Sequence, residues 1–153
     1  MLKLMYITNS PEIALIAQKH GVDRIWVDLE YKGKEERQKG LNTVKPRHTV
    51  QDIKNIAPLM TSSQLLVRVN PWGADSDEEI DAVIEAGADI IMLPMWKNVS
   101  EVASFLNAVK GRVPIILLLE TKKAVDCLDN ILHLSGIDEI HIGLNEFVPV
   151  LRL

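Results

Sequence analysis

A single cysteine, Cys127, in 153 residues leaves no partner for a disulfide within the chain, and a reducing cytoplasm is the expected location. Long hydrophobic runs are also missing. The longest, from Val113 to Leu119, falls far short of the ~20 residues a membrane span needs, and the N-terminus has no signal-peptide layout, so no membrane partner is expected. Positive charge is not in excess. A formal net charge of -4 gives nucleic acid no electrostatic reason to bind. Finally, no G-x-G-x-x-G follows the first apolar run, which weakens a dinucleotide-binding reading.

What is present is ordinary globular composition, 47 % apolar and 25 % charged with both signs interspersed, enough for one domain over residues 1–153. Short β-rich runs alternate with helical patterns. The runs are Leu4–Ile7, Arg24–Asp28, Leu65–Val69, Ile90–Pro94, Pro114–Glu120 and Glu139–Gly143. Helix starts are expected at Ser10-Pro11, His48-Thr49, a Ser76–Glu79 capping box, Asn98 or Ser100, and about Lys122, the last helix running to Leu134. The polar stretch from Tyr31 to Lys45 reads as a long loop or a weak helix. Six nearly continuous apolar strands joined by crossovers predict an α/β fold with a parallel sheet covered on both faces, either an open doubly wound sheet or a closed barrel.

Strand ends favour the barrel. Asp28 and Glu30, Arg68 and Asn70, Glu120, and Glu146 all stand where the carboxyl ends of strands would converge on one mouth. An eight-stranded barrel takes about 250 residues, so this chain is expected to be a partial (β/α)8 TIM barrel with about six strands. Glu120 reads either as the first solvated residue after an apolar strand or as a ligand for a hard divalent cation, with Glu146 beside it. Arg68, inside an apolar strand, needs an anionic partner: a structural ion pair with Asp28 or Glu30, or a substrate carboxylate. Asp28 and Glu30 share a strand face. Arg47 and His48 are either solvent-facing residues near a helix start or groups that bind a substrate anion and move a proton, while Trp72 and Trp96 fall where they could wall a pocket. His141 alternates with Ile140 and Ile142 and so can point into the barrel.

Gly21-Val22-Asp23 to Trp26-Val27-Asp28-Leu29-Glu30, Val67-Arg68-Val69-Asn70, Glu85-Ala86-Gly87-Ala88-Asp89 to Met92-Leu93-Pro94-Met95, Leu119-Glu120-Thr121, and Gly136-Ile137-Asp138 to Ile142-Gly143 resemble, in order and spacing, the HpcH/HpaI aldolase and citrate lyase β-subunit family. The resemblance implies a phosphoenolpyruvate/pyruvate-type barrel that makes or breaks a carbon–carbon bond through the enolate of a small 2-oxo acid. It implies Mg²⁺ or Mn²⁺ on Glu120 and Glu146, the latter standing where the family usually has Asp, and an enolate held by Arg68. The family's acid–base His after the second strand is replaced here by Tyr31, so Asp28, Glu30 or His48 is expected to handle the proton. The last family strands are not matched, which implies a C-terminally truncated barrel and a homo-oligomer covering its open edges. The alternative is an inactive barrel piece acting through self-association or partner binding.

Overall fold

The computed structural model describes residues 2–31 and 47–144. The stretch 32–46 and Glu146 lie outside the described residues. In chain order the elements are β1 (Met5–Ile7), α1 (Pro11–Lys19), β2 (Arg24–Asp28), α2 (Val50–Ile56) with a 3₁₀ turn at Ala57–Leu59, β3 (Gln64–Arg68), α3 (Ser76–Glu85), β4 (Ile90–Leu93), α4 (Val99–Val109), β5 (Ile115–Leu119), α5 (Lys122–Asp126), α6 (Leu128–Ile131) and β6 (Glu139–Ile142). All six strands are parallel and lie side by side in sequence order. The sheet curls into a half-barrel with the helices outside. None of these helices is long and apolar enough to cross a membrane.

Strand periodicity separates two cores. Ile25, Val27, Leu65, Val67, Ile91, Leu93, Ile115 and Leu117 face the helices in the larger cluster. Their alternating neighbours Trp26, Leu66, Ile90, Met92, Ile116 and Leu118 form a second cluster on the concave side. Near-continuous apolar strands are what a sheet buried on both faces requires.

Three of the helix-to-strand junctions repeat one device. Gly21, Gly87 and Gly136 end their helices with positive φ. The aspartate two residues later then accepts a backbone N–H from the neighbouring strand: Asp23 from Leu4, Asp89 from Leu65 and Asp138 from Ile115, each at 2.8 Å. Gly87 is also needed for close packing, because a Cβ there would sit 2.7 Å from Ala57 Cβ.

Helix starts follow local chemistry, with two corrections. Ser10 caps α1, Asn98 caps α4 and Thr49 forms a full capping box with Asp52. The Ser76–Glu79 box does not form. Ser76 Oγ accepts from Gly73 N instead, and Glu79 is drawn away to the side-chain amide and backbone N–H of Asn70. The helix expected from Lys122 to Leu134 is broken at Cys127, whose ψ of 9° separates α5 from α6.

Curvature is fixed from inside. In a flat sheet β2 and β6 would lie about 19 Å apart. Arg24 of β2 and Glu139 of β6 nevertheless form a bidentate ion pair across the lumen, with Nη1 2.7 Å from Oε2. One layer above, the rings of Trp26 and His141 meet edge to face at 6.0 Å.

The pair is asymmetric, since the Arg24 side chain is 4 % exposed and that of Glu139 is 47 % exposed. Glu139→Gln therefore leaves a buried guanidinium without its anion and should cost about 2–4 kcal/mol, whereas Arg24→Met leaves only a half-solvated carboxylate and should cost less. Urea denaturation of the two variants checks the order. Hydrogen bonds from Arg24 hold the Glu139 carboxyl below its ordinary range against the opposing effect of burial. This stabilisation is therefore full above a pH of about 4.3 and is lost as pH falls through the lowered value.

Candidate active site

Arg68 ends β3 on the concave side, and its guanidinium is fully oriented. Nε and Nη2 donate to the two oxygens of Asp28 at 2.9 and 2.8 Å, Nη1 lies 3.2 Å from Glu30 Oε2, and Cζ stands 5.1 Å from the centroid of the Trp26 ring. The register dictates the first pair, because Asp28 and Arg68 are direct partners in the β2–β3 ladder. Burial works against the charged form of Arg68, but its hydrogen bonds to Asp28 and the charges of Asp28, Glu30 and Glu120 outweigh it, and the pKa is raised. The cation is permanent. Those three contacts engage three of its five N–H bonds.

Glu120, 6 % exposed, stands just past β5. Its Oε1 accepts from the N–H of Met95, a residue held at φ 54° in the turn after β4. The Thr121 hydroxyl donates to the Trp96 carbonyl at 3.1 Å and tightens the same turn. On the other side is Gly143, where a Cβ would lie 3.0 Å from Glu120 Cβ and 3.3 Å from Oε2. A side chain at residue 143 would therefore crowd the carboxylate.

A third group braces the mouth after β2. Asn70, 3 % exposed, accepts from Tyr31 N through Oδ1 and donates to Glu79 through Nδ2. His48 Nδ1 accepts the Asp28 N–H at 2.9 Å. Beside it, the Arg47 guanidinium stacks 4.2 Å from the Tyr31 ring centroid.

The structure thus brings Asp28, Glu30, Arg68, His48, Arg47 and Glu120 to one end of the sheet. It does not bring Trp96, which is 0 % exposed within the helix-side core and so does not wall a pocket. His141 does face the lumen, where burial and then the charges of Arg68 and Arg24 lower its pKa, partly opposed by Glu139. Sequence reasoning missed Gly143, Met95 and Glu79 as parts of the site. Only Gly143 carried a signal, as the lone small residue at the end of an apolar strand.

Among the described residues, no group of three or more His, Cys, Asp or Glu converges as a metal centre. Mg²⁺ does not need one, since it commonly takes one or two carboxylates and completes its shell with water. A buried carboxylate such as Glu120 has the chemistry that role asks for.

The chain belongs to the HpcH/HpaI aldolase/citrate lyase family, whose model matches residues 3–153. No curated protein matches it by sequence. Among solved structures it resembles the citrate synthase SbnG, at 17 % identity and TM-score 0.71, over 94 % of this chain and 61 % of that one. An HpcH/HpaI aldolase/citrate lyase family protein from Burkholderia cenocepacia gives 16 % identity and TM-score 0.73, over 98 % and 66 %. Phosphonopyruvate hydrolase, solved with oxalate and Mg²⁺, gives 15 % and 0.66, over 93 % and 58 %. At these identities the likeness is one of fold. The chain spans roughly three fifths of the length of these relatives.

If Gly143 keeps a metal-binding oxygen of Glu120 accessible, Gly143→Ala should weaken Mn²⁺ binding at least several-fold and lower stability by about 1–3 kcal/mol through overpacking. Electron paramagnetic resonance of free Mn²⁺ measures the first effect. Unchanged affinity would remove Glu120 from the ligand set.

Proposed function

We propose that this mouth binds a small 2-oxo acid with a divalent metal and stabilises its enolate, in a lyase or aldolase reaction that cleaves or forms a carbon–carbon bond. The observation that carries the reading is Arg68. It is a permanent cation held rigid by Asp28 and Glu30, electrostatically coupled to the buried Glu120, with N–H bonds remaining for an oxyanion. Such preorganised donors act where charge develops in the transition state and need no reorganisation when it appears.

Glu120 and Glu146 would hold Mg²⁺ or Mn²⁺. The bound ion would supply a Lewis acid for the enolate oxygen. Arg68 orients the carboxylate and the oxygen that becomes the enolate, and Arg47, fixed on Tyr31, adds a cation at the rim. Asp28 places both oxygens on Arg68 and Glu30 places one, so proton handling falls to Asp28, Glu30 or His48 beside them. Phosphonopyruvate hydrolase, with its bound oxalate and Mg²⁺, supports this chemistry by analogy of fold.

The test is exchange of the pyruvate methyl protons with D₂O, followed by proton NMR with Mg²⁺ or Mn²⁺. The expected result is metal-dependent exchange that falls about 10²–10³-fold in Arg68→Met and is lost in Glu120→Gln. Wild-type protein that gives no exchange would rule the reading out.

A second reading has its own observation. The outer edges of β1 and β6 carry no further strand among the described residues, and Tyr6, Ile7 and Ile142 are 48 %, 52 % and 59 % exposed. Ile13, Leu15 and Ile16 of α1 are exposed beside them. On this reading the chain acts as an inactive barrel piece that associates with itself through these edges. Sedimentation should then show oligomers, and a compact monomer at micromolar concentration would exclude it.

A further inference from the structure

The ring of Trp26 lies under Arg68, yet no hydrogen bond fixes how that ring sits. Trp26 Nε1 is buried and has no partner, so contacts with other rings and with apolar side chains set its orientation. Leu66, Met92 and Leu118 share its cluster on the concave side and give contact without direction. The directional contact is His141, which reaches across the lumen from β6 and meets the indole edge to face, at 6.0 Å between centroids and 82° between planes. Arg68 Cζ lies over the same indole at 5.1 Å. One ring is thus shared by an imidazole from β6 and a guanidinium from β3.

His141 itself is half-buried, and among the described residues neither of its nitrogens makes a hydrogen bond. We infer that His141 is a positioning residue for Arg68, acting through the Trp26 ring and only as a neutral imidazole. A neutral ring leaves the indole to one cation. An imidazolium would be a second cation against the same indole and would compete with Arg68 for it.

The charged groups facing His141 keep it in that state. Arg24 comes from β2 and Arg68 from β3, while Glu139, on its own strand, is already held by both terminal nitrogens of Arg24. Leu118, its partner in the β5–β6 ladder, is apolar. Burial and then the two cations push the imidazole pKa below its ordinary value, with Glu139 opposing them. The neutral form therefore prevails at neutral pH, and the proton enters only below about pH 6.5.

Two measurements test this. In ¹H–¹⁵N NMR of the wild type, His141 should titrate with a midpoint below about 6.5 that rises in Arg68→Met, where one facing cation is gone. The Arg68 Nε–H signal, which senses the indole ring current, should move with the same midpoint. It should stay constant over that range in His141→Phe, whose ring keeps an aromatic edge against Trp26 and cannot gain a proton. An Arg68 signal that ignores the His141 midpoint, or that moves equally in the variant, overturns the inference. The second measurement, the pyruvate exchange assay with Mg²⁺, rests on the 2-oxo acid reading. At about pH 8, His141→Ala should lose about tenfold or more in kcat while His141→Phe stays within about threefold of wild type. The ratio of wild-type kcat to that of His141→Phe should then fall as pH drops through the His141 midpoint. A constant ratio, or full activity in His141→Ala, overturns the positioning role. If the wild type gives no exchange, the 2-oxo acid reading fails and the Arg68 signal alone decides whether His141 positions it.

Discussion

Arg24 and Glu139 belong to strands four positions apart in the sheet, yet their side chains meet across the lumen. Neither residue can do this unless the sheet curls, and the guanidinium, almost wholly removed from water, has a strong need for its anion. Curvature is thereby tied to charge. The edge-to-face contact of Trp26 with His141 continues the constraint one layer higher, and Arg68 lies over Trp26 above that. A column of cation, aromatic ring and cation runs up the concave side of β2 and β3, and each member positions the next.

The same curl has a consequence for the mouth. Arg68 is on β3 and Glu120 follows β5, with β4 between them. In a flat sheet the two groups would diverge, whereas on the concave side of a curled one they lie close enough for the Glu120 charge to help raise the Arg68 pKa. Among the described residues, three carboxylates and one guanidinium meet there, with Arg47 at the rim.

Much of this was legible in the sequence, for identifiable reasons. The parallel strands are written as short apolar runs, so all six could be located from residue type alone. Arg68 inside Leu66–Asn70 advertised an anionic partner, and two-residue periodicity placed Asp28 and Glu30 on its side. The misreadings come from competition that periodicity cannot express. Glu79 had the spacing of a capping box, but a buried Asn70 amide two residues past β3 was a stronger claim on its carboxylate. Trp96 follows a strand as a pocket wall would, but the left-handed turn at Met95 directs the ring into the helix-side core. Turn handedness is set by tertiary contacts, here the Glu120 carboxylate on the Met95 N–H, and those are absent from any local window.

Tyr31, just past β2, bears on more than one position. Its ring offers a face for the Arg47 cation. Holding Arg47 also holds its neighbour His48 over the end of β2, where Nδ1 accepts the Asp28 N–H. Tyr31 and His48 are thus coupled through a two-residue segment. A histidine at residue 31 would place two imidazoles at the end of one strand and remove the platform that holds Arg47. Tyr31, Arg47 and His48 therefore form one arrangement over the end of β2, in which the aromatic face, the cation and the imidazole are placed by linked contacts.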